Sequence, residues 1–382
     1  MARAIGRVLL FLVVALLLAV VLVPPFLDRI YYHGPESAHF DGDRFFNPDG
    51  EDTAAPPAGG SRAGFLARFL TGSDGRPPWP DTVSVTPSRP RARVEGDRML
   101  VTWIGHATVL VQTAGLNILT DPIWSDTAGP FGFGPRRVAA PGVRFEDLPK
   151  IDLVLVSHNH YDHMDLSSLQ RLWKRDRPLI VTSLGNDAIL KSRGITATRA
   201  DWGARIPLRD AEVIVTRNHH WGSRWFADRN RALWSSFVVR LPGGNLFFAG
   251  DTGLGDGKWP AEAAALGPIR LAVIPIGAFR FRPGQMGTGS HIGPIDAARV
   301  FETSRASRAL PIHWGTFRLS YEAYDTPPKL LAEAMRCAGH DPRLFAPVRI
   351  GQPFAVPPAS AQPRPAPLGP GCLDAPAVRS LQ

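Results

Sequence analysis

The first pattern along the chain is an unbroken apolar run. Residues Val8 to Leu27 carry no charge and are almost wholly aliphatic, interrupted only by Pro24-Pro25. At ~1.5 Å per residue a helix of that length crosses a bilayer. Arg3 and Arg7 precede it and Tyr31-Tyr32 follow it, the flanks of a membrane anchor with an interfacial aromatic pair. The run exceeds a usual signal core and no clear small-x-small site follows, so an uncleaved anchor is expected rather than a cleaved signal peptide.

Residues 33–50 are polar and aromatic and end in Arg44-Phe45-Phe46-Asn47-Pro48. Residues 51–62 are Pro/Gly/Ala-rich, and Phe65, Leu66, Phe69 and Leu70 then predict a short amphipathic turn or two. From about residue 82 the pattern becomes regular. Leu100–Gln112 and Leu116–Thr120 predict two strands around Thr113-Ala114-Gly115, and further strands are predicted at 151–156, 179–183, 211–217, 233–240, 245–249, 271–276 and 308–312. Helices are predicted at 165–175, about 186–193, 294–304 and 327–338. Asp165 and Thr326 are the candidate caps, Pro294 and Pro327 the first-turn prolines and Gly339 a stop. Many strands, some consecutive and some separated by helices, predict two sheets flanked by helices. From Ala355 the chain is Pro/Ala/Gly-rich and predicts a disordered tail. The division is 1–30 anchor, 31–81 linker and extension, 82–354 main domain and 355–382 tail.

Composition changes this picture little. With 44% hydrophobic and 20% charged residues the 382-residue chain is globular in class. The net charge of +9 comes from scattered arginines; no basic helix or aromatic-interleaved patch accompanies it, so nucleic acid is not an expected partner. Cys337 and Cys372 are too few and too far apart for a cysteine metal site. Whether they pair is open.

The chemistry concentrates in Ser157-His158-Asn159-His160-Tyr161-Asp162-His163. The stretch lies between an apolar strand and a helix start, where α/β proteins place their sites. Alternate side chains of such a loop face opposite ways. His158 and His160 are thus placed to hold one metal, and Asp162 and His163 a second one ~3.5–4 Å away. Three later loops, each after an apolar strand, offer further ligands: His219 or His220, then Asp251 after Gly250, then His313. Neither a Gly-x-Ser-x-Gly elbow nor a Walker-type phosphate loop is present to supply another chemistry.

The pattern His158-x-His160-x-Asp162-His163, then His220, Asp251 and His313, resembles the metallo-β-lactamase superfamily. Within it, several stretches resemble the N-acylphosphatidylethanolamine-hydrolysing phospholipase D family and its bacterial relatives. They are Trp103-Ile104-Gly105-His106-Ala107-Thr108, the segment His158 to Asp165, and His220-Trp221 with Asp228-Arg229-Asn230 and Leu233-Trp234. Gly277-Ala278-Phe279, Met286, His291 and Pro294 continue the likeness, as does His313-Trp314-Gly315-Thr316-Phe317. The likeness covers about residues 38–350.

The resemblance implies an α/β fold, a four-layer αββα metallo-β-lactamase sandwich, here behind a transmembrane helix. It implies two zinc ions per chain, one held by His158, His160 and His220, the other by Asp162, His163 and His313, with Asp251 bridging. His220 is chosen over His219 because the family's Trp follows its ligand directly, as Trp221 does. His219 stands where the family often has Gln and Gly222 where it often has Ser. His291 and Met286 are implied near the substrate, with His291 positioned to bind phosphate or protonate a leaving oxygen. His106 is taken as structural, and His33, His39 and His340 as non-ligands. Asp165 is a helix cap or a partner behind the ligands.

The expected activity is zinc-dependent phosphodiester hydrolysis of a membrane lipid by a metal-bridging hydroxide, of phospholipase D type. Hydrolysis of another ester, lactone or phosphodiester on the same site is the alternative, and a non-catalytic envelope protein a more distant one. The arginines before the apolar run place the catalytic domain on the outer face of a bacterial-type inner membrane. The oligomeric state is open, with a homodimer among the options.

Overall fold

The structure is a computed structural model that describes residues 2–50, 75–225, 227–281, 289–360 and 370–381. In chain order its helices are α1 (Ala2–Leu27), α2 (Leu166–Asp176), α3 (Asn186–Lys191), α4 (Trp259–Ala264), α5 (Pro294–Ser304), α6 (Thr326–Cys337), α7 (Pro370–Leu373) and α8 (Pro376–Arg379). Its strands are β1 (Met99–Gly105), β2 (Thr108–Thr113), β3 (Leu116–Thr120), β4 (Leu153–Val156), β5 (Leu179–Ser183), β6 (Thr198–Ala200), β7 (Arg205–Leu208), β8 (Ala211–Thr216), β9 (Ser236–Arg240), β10 (Asn245–Phe248), β11 (Ile269–Pro275), β12 (Arg308–Ile312) and β13 (Pro353–Val356).

The strands form two sheets, in the orders β13-β1-β2-β3-β4-β5-β6 and β12-β11-β10-β9-β8-β7. Alternation along each strand explains the layering. Val109, Val111, Leu153 and Leu155 face a core shared with Phe237, Val239, Leu271 and Val273 of the other sheet. The residues between them, Leu110, Val154 and Val156, face outward onto Leu169 and Leu172 of α2 and Leu190 of α3. On the second sheet Val238, Phe247, Ala272 and Ile274 face outward onto α4, α5 and α6. Strands buried on both faces read as continuous apolar runs, because period two puts successive side chains in different cores. This is the expected αββα sandwich.

Pairing directions decide where the strand ends go. β3, β4 and β5 run parallel, and β1 is antiparallel to β2, itself antiparallel to β3, so β1 shares their direction. In the second sheet β10, β11 and β12 run parallel, and β8 joins them through antiparallel β9. The carboxyl ends of β1, β3 and β4 therefore share one edge of their sheet, and those of β8, β10 and β12 one edge of theirs.

Several local expectations change. Leu100–Gln112 is two strands, with a turn at Gly105-His106-Ala107 where His106 takes φ 51°. Apolar residues on both sides hide that turn from a periodicity reading. The cap of α6 is Asp325, with Thr326 already inside the helix. β6, β7 and α4, too short to declare a period, were not predicted. The chain beyond Ala355 continues β13 to Val356 and forms α7 and α8. A Cys337–Cys372 disulfide ties this segment to the end of α6, and Val378 of α8 is buried. The part of the expected tail at 361–369 and the amphipathic stretch Phe65–Leu70 lie outside the described residues. In the N-terminal extension, Phe40 and Phe45 are buried against Leu233 and Trp234. None of Ala4–Pro24 in α1 is buried, and this helix is long and apolar enough to cross a membrane.

Candidate metal centre

The loop after β4 projects His158, His160, Asp162 and His163 from the sandwich edge. It is held by α2, whose cap Asp165 accepts from Ser167 N at 3.1 Å, from Ser168 Oγ at 2.6 Å and from Ser125 Oγ at 2.8 Å. Asp165 thus fixes the loop's exit rather than facing the ligands. From the other sheet, Gly250 carries Asp251 past the metal loop at φ 63°. A Cβ at Gly250 would stand 2.7 Å from the Cβ of Ser157, so glycine is what lets the two loops close on each other.

The described residues form four overlapping groups of candidate ligands, and two of these share no member. In the first, His158, His160 and His220 bring one nitrogen each to within 4.8 Å of one another. In the second, one nitrogen each of His106, His163 and His313 and a carboxylate oxygen of Asp162 lie within the same distance of one another. Asp251 lies between them. Its Oδ2 is 3.1 Å from His163 Nε2 and 2.9 Å from His313 Nε2, and it also forms a group with His220 and His291. The centre brings together the seven residues that the sequence suggested as ligands. His291 joins them, with Nδ1 3.7 Å from Asp251 Oδ2. Met286 lies outside the described residues.

The doublet is divided. His220 Nδ1 donates to Ser290 O at 2.9 Å, leaving Nε2 toward the centre. His219 points to Asp49, 2.9 Å away. Asn47 holds the main chain here, donating to His220 O at 2.8 Å. His39 pairs with Asp201 and stacks on Trp202, His340 lies 3.3 Å from Glu302, and His33 is exposed.

Two residues behind the ligands escaped the sequence reading. Asp121, at the end of β3, is fully buried and binds His163 Nδ1 at 2.7 Å, Ser157 Oγ at 2.5 Å and Ser157 N at 2.7 Å. It fixes the tautomer that presents His163 Nε2. The only sequence signal was an acid directly after an apolar strand, the same signal that singled out Asp251. His106, taken as structural, sits 2.9 Å from Asp162 Oδ2 and orients that carboxylate.

The electrostatics separate the two groups. Burial, reinforced by neighbouring imidazoles, holds His158 and His220 well below the ordinary histidine range. Burial pushes His160 down to about 3. For His163 and His313 burial also opposes charge, but the Asp251 and Asp162 carboxylates outweigh it. They raise His163 well above the ordinary range and His313 to about 9. Asp162 and Asp251 are held well below the usual carboxylate range: burial opposes their charge, and His163 and His313 overcome it.

The residues fit metal ions. His160 Nε2, His220 Nε2 and Asp251 Oδ1 are buried with no hydrogen-bond partner. Unpaired buried acceptors are costly, and a cation supplies what they lack. Imidazole with carboxylate is a donor set suited to zinc and its neighbours in the first transition row.

Comparison with known proteins gives the family. Residues 116–314 match the β-lactamase superfamily domain. The chain belongs to that superfamily. It is 35% identical over 243 residues to the N-acyl-phosphatidylethanolamine-hydrolyzing phospholipase D 1 of Caenorhabditis elegans, covering 60% of this chain and 68% of that one. It is 32% identical over 253 residues to the mitochondrial N-acyl-phosphatidylethanolamine-hydrolyzing phospholipase D of Saccharomyces cerevisiae, covering 64% of this chain and 54% of that one. Among solved structures it resembles the metallo hydrolase Igni18 of the archaeon Ignicoccus hospitalis, with a TM-score of 0.51 at 19% identity. That match covers 68% of this chain and 98% of the other, and it bears on the fold. The protein is a metal-dependent hydrolase of the metallo-β-lactamase superfamily, related to the phospholipases D that act on N-acylphosphatidylethanolamine.

Proposed function

We propose that this chain is a membrane-anchored, binuclear zinc phosphodiesterase that cleaves N-acylphosphatidylethanolamine-like lipids in the manner of a phospholipase D. The observation that carries the reading is Asp251, whose carboxylate lies against His163 and His313 of one group and is grouped with His220 of the other, so that one residue links the two. The lipid substrate follows from the worm and yeast relatives together with the apolar helix α1.

His158, His160 and His220 would hold one ion, and Asp162, His163 and His313 the other. When bound, two such ions supply Lewis acidity and a water acidified from ~15.7 towards ~7. The chain's own residues do the rest. Asp251 would be shared by both ions, and its carboxylate is placed to accept a hydrogen bond from the attacking water and orient it. Asp121 and His106 keep His163 and Asp162 in register. Burial pushes His291 down to about 4, so its ring enters neutral and serves best as an N–H donor to a phosphoryl oxygen. Water oxygen adds to phosphorus, the bond from phosphorus to the ethanolamine oxygen breaks, and that oxygen takes up the proton the water gives up, so that phosphatidic acid and an N-acylethanolamine leave.

The anchor sets the topology in the same proposal. Arg3 and Arg7 on the short N-terminal side favour a cytoplasmic N-terminus and an outward-facing catalytic domain. The Cys337–Cys372 disulfide suits that oxidising side. Protease treatment of spheroplasts should digest the domain, and protection would reverse the topology.

The deciding experiment incubates the zinc-loaded full chain with labelled N-acylphosphatidylethanolamine in mixed micelles. Release of phosphatidic acid is expected. A fully loaded protein that releases none, yet opens a lactone or a different phosphodiester in a parallel panel, would replace the substrate and keep the centre.

A further inference from the structure

Between β3 and β4 the chain folds into a finger, Asp126–Arg137. Arg137 N donates to Asp126 O at 2.9 Å, Ala128 N to Pro135 O at 2.9 Å and Phe133 N to Pro130 O at 2.9 Å, with an antiparallel bridge between Thr127 and Arg136. The finger is closed tightly. A Cβ at Gly129 would stand 2.0 Å from Phe133 O, and Phe131 takes φ 53°, a conformation bulky residues rarely adopt. What this backbone displays is two phenylalanines. Phe131 is 83% exposed and Phe133 75%. Among the described residues, every other exposed large hydrophobic lies in α1 or at Ile30 just after it.

The finger is also placed beside the end of α1. The Phe131 and Trp225 rings are 6.0 Å apart, and the Arg29 guanidinium lies 5.5 Å over Trp225 and 4.8 Å over Phe26, the last but one residue of α1. The end of α1 is fastened to the domain there. Asp28 pairs with Arg231 at 2.7 Å and Arg44 at 2.9 Å, and Tyr31 donates to Asp228 at 2.8 Å. From the same patch Arg224 reaches the metal loop. It donates to Asn159 O at 3.1 Å and Met164 O at 2.9 Å, and lies 3.6 Å over Tyr161. The finger's base abuts the other side of the centre, through Arg137 over Phe317 and the Phe317 ring 5.1 Å from His106. The partly exposed stretch of the metal loop, His160-Tyr161-Asp162, thus adjoins, through Arg224 over Tyr161, the Trp225 patch where the finger tip and the exit of α1 meet.

We propose that Phe131 and Phe133 insert into the bilayer leaflet from which α1 emerges, so that finger and helix together hold the open side of the metal centre against the membrane surface. The proposal rests on the reading of α1 as a membrane anchor. Aromatic side chains beside a basic residue suit the headgroup boundary, and a finger with a closed neck presents them there at little ordering cost. A lipid substrate would then reach the centre without leaving the membrane.

Spin labels test it in the full chain. Cys337 and Cys372 are paired, so F131C and F133C each introduce one free thiol. The labelled proteins are reconstituted in dioleoylphosphatidylcholine vesicles, with L16C as a label inside α1 and R193C as an aqueous reference. The expected result is oxygen access at both tip positions with nickel-chelate access well below that at R193C. Tip labels as open to nickel as R193C, with L16C immersed, would overturn the finger and leave the anchor. Tip and L16C labels all open to nickel would remove both. Immersed tips with an aqueous L16C would remove the anchor and overturn the proposal, since no leaflet would then be shared by finger and helix. Tips shielded from oxygen and nickel alike would mean a protein contact and overturn the proposal.

Discussion

Asp121 Oδ2 lies 2.7 Å from His163 Nδ1, in a site where both side chains are fully buried. The pair shows how the centre is built: a carboxylate from the end of β3 sets the ring that β4 delivers. Asp121→Asn keeps the shape but removes the charge and allows the amide to face His163 with the wrong group. Such a partner typically contributes about 10–100-fold in metal affinity. Zinc affinity should fall by that order, with activity falling alongside, while the far-ultraviolet circular dichroism stays unchanged. Competition with a chromophoric chelator measures it, and unchanged affinity would make Asp121 a packing residue only.

Much of this centre was legible because its ligands cluster. Four of them fall within His158–His163, and the other three each follow an apolar strand. The fold was legible for a related reason: strands buried on both faces leave long apolar runs. Asp121 stayed hidden because an acid in Thr120-Asp121-Pro122 reads equally well as a turn. His106 stayed hidden as a partner of Asp162 because its turn sits inside an apolar stretch that looks like one strand. The fastening of α1 through Asp28, Arg44 and Arg231 depends on residues up to 203 positions apart, a pairing no local pattern announces.

Asp251 and His160 should differ in what their loss removes. Asp251 lies against His163 and His313 of the second group and is grouped with His220 of the first, whereas His160 is grouped with His158 and His220 alone. On the proposed binuclear zinc reading, Asp251→Ala should therefore bring bound zinc from about two per chain to below about one, and His160→Ala should leave about one. Elemental analysis after dialysis against a weak chelator counts them. Equal losses in the two variants would contradict the bridging role.

Reduction should loosen the C-terminal segment without emptying the centre. The Cys337–Cys372 bridge closes 35 residues that include β13, an edge strand of the first sheet. Chain-entropy reasoning gives about 3–4 kcal/mol for a loop of that size. The thermal midpoint of Cys372→Ser should drop by several degrees, with zinc content preserved. A drop in zinc content would tie the tail to the centre.

Arg231 is the side chain that joins the extension to the domain. It is 8% exposed, and it holds Asp28 through Nε at 2.8 Å and Nη2 at 2.7 Å while also reaching Asp43. Hydrogen bonds to charged groups contribute about 1.5–3 kcal/mol each. Arg231→Ala should lower stability within that range and speed proteolysis between residues 28 and 46. Turnover on a short-chain soluble phosphodiester should stay nearly constant. An equal loss of soluble-substrate turnover would place Arg231 in the architecture of the centre itself.

Metal loading should be coupled to protons unequally across the centre. In the metal-free protein the carboxylates outweigh burial and raise His163 well above the ordinary range and His313 to about 9, so both carry a proton at pH 7.5. A metal ligates only the deprotonated ring, so filling the Asp162–His163–His313 group must expel those protons. His158, His160 and His220 are held neutral by burial and expel none. Because the raised groups lose their protons as pH climbs, affinity at the second group should increase with pH, through the region near 9 where His313 deprotonates. Toward acid pH that group should empty first. Titration calorimetry in buffers of different ionisation heat reads the protons directly: release is expected with one of the two zinc equivalents and little with the other. Equal release from both would mean that the carboxylates do not distinguish the two groups.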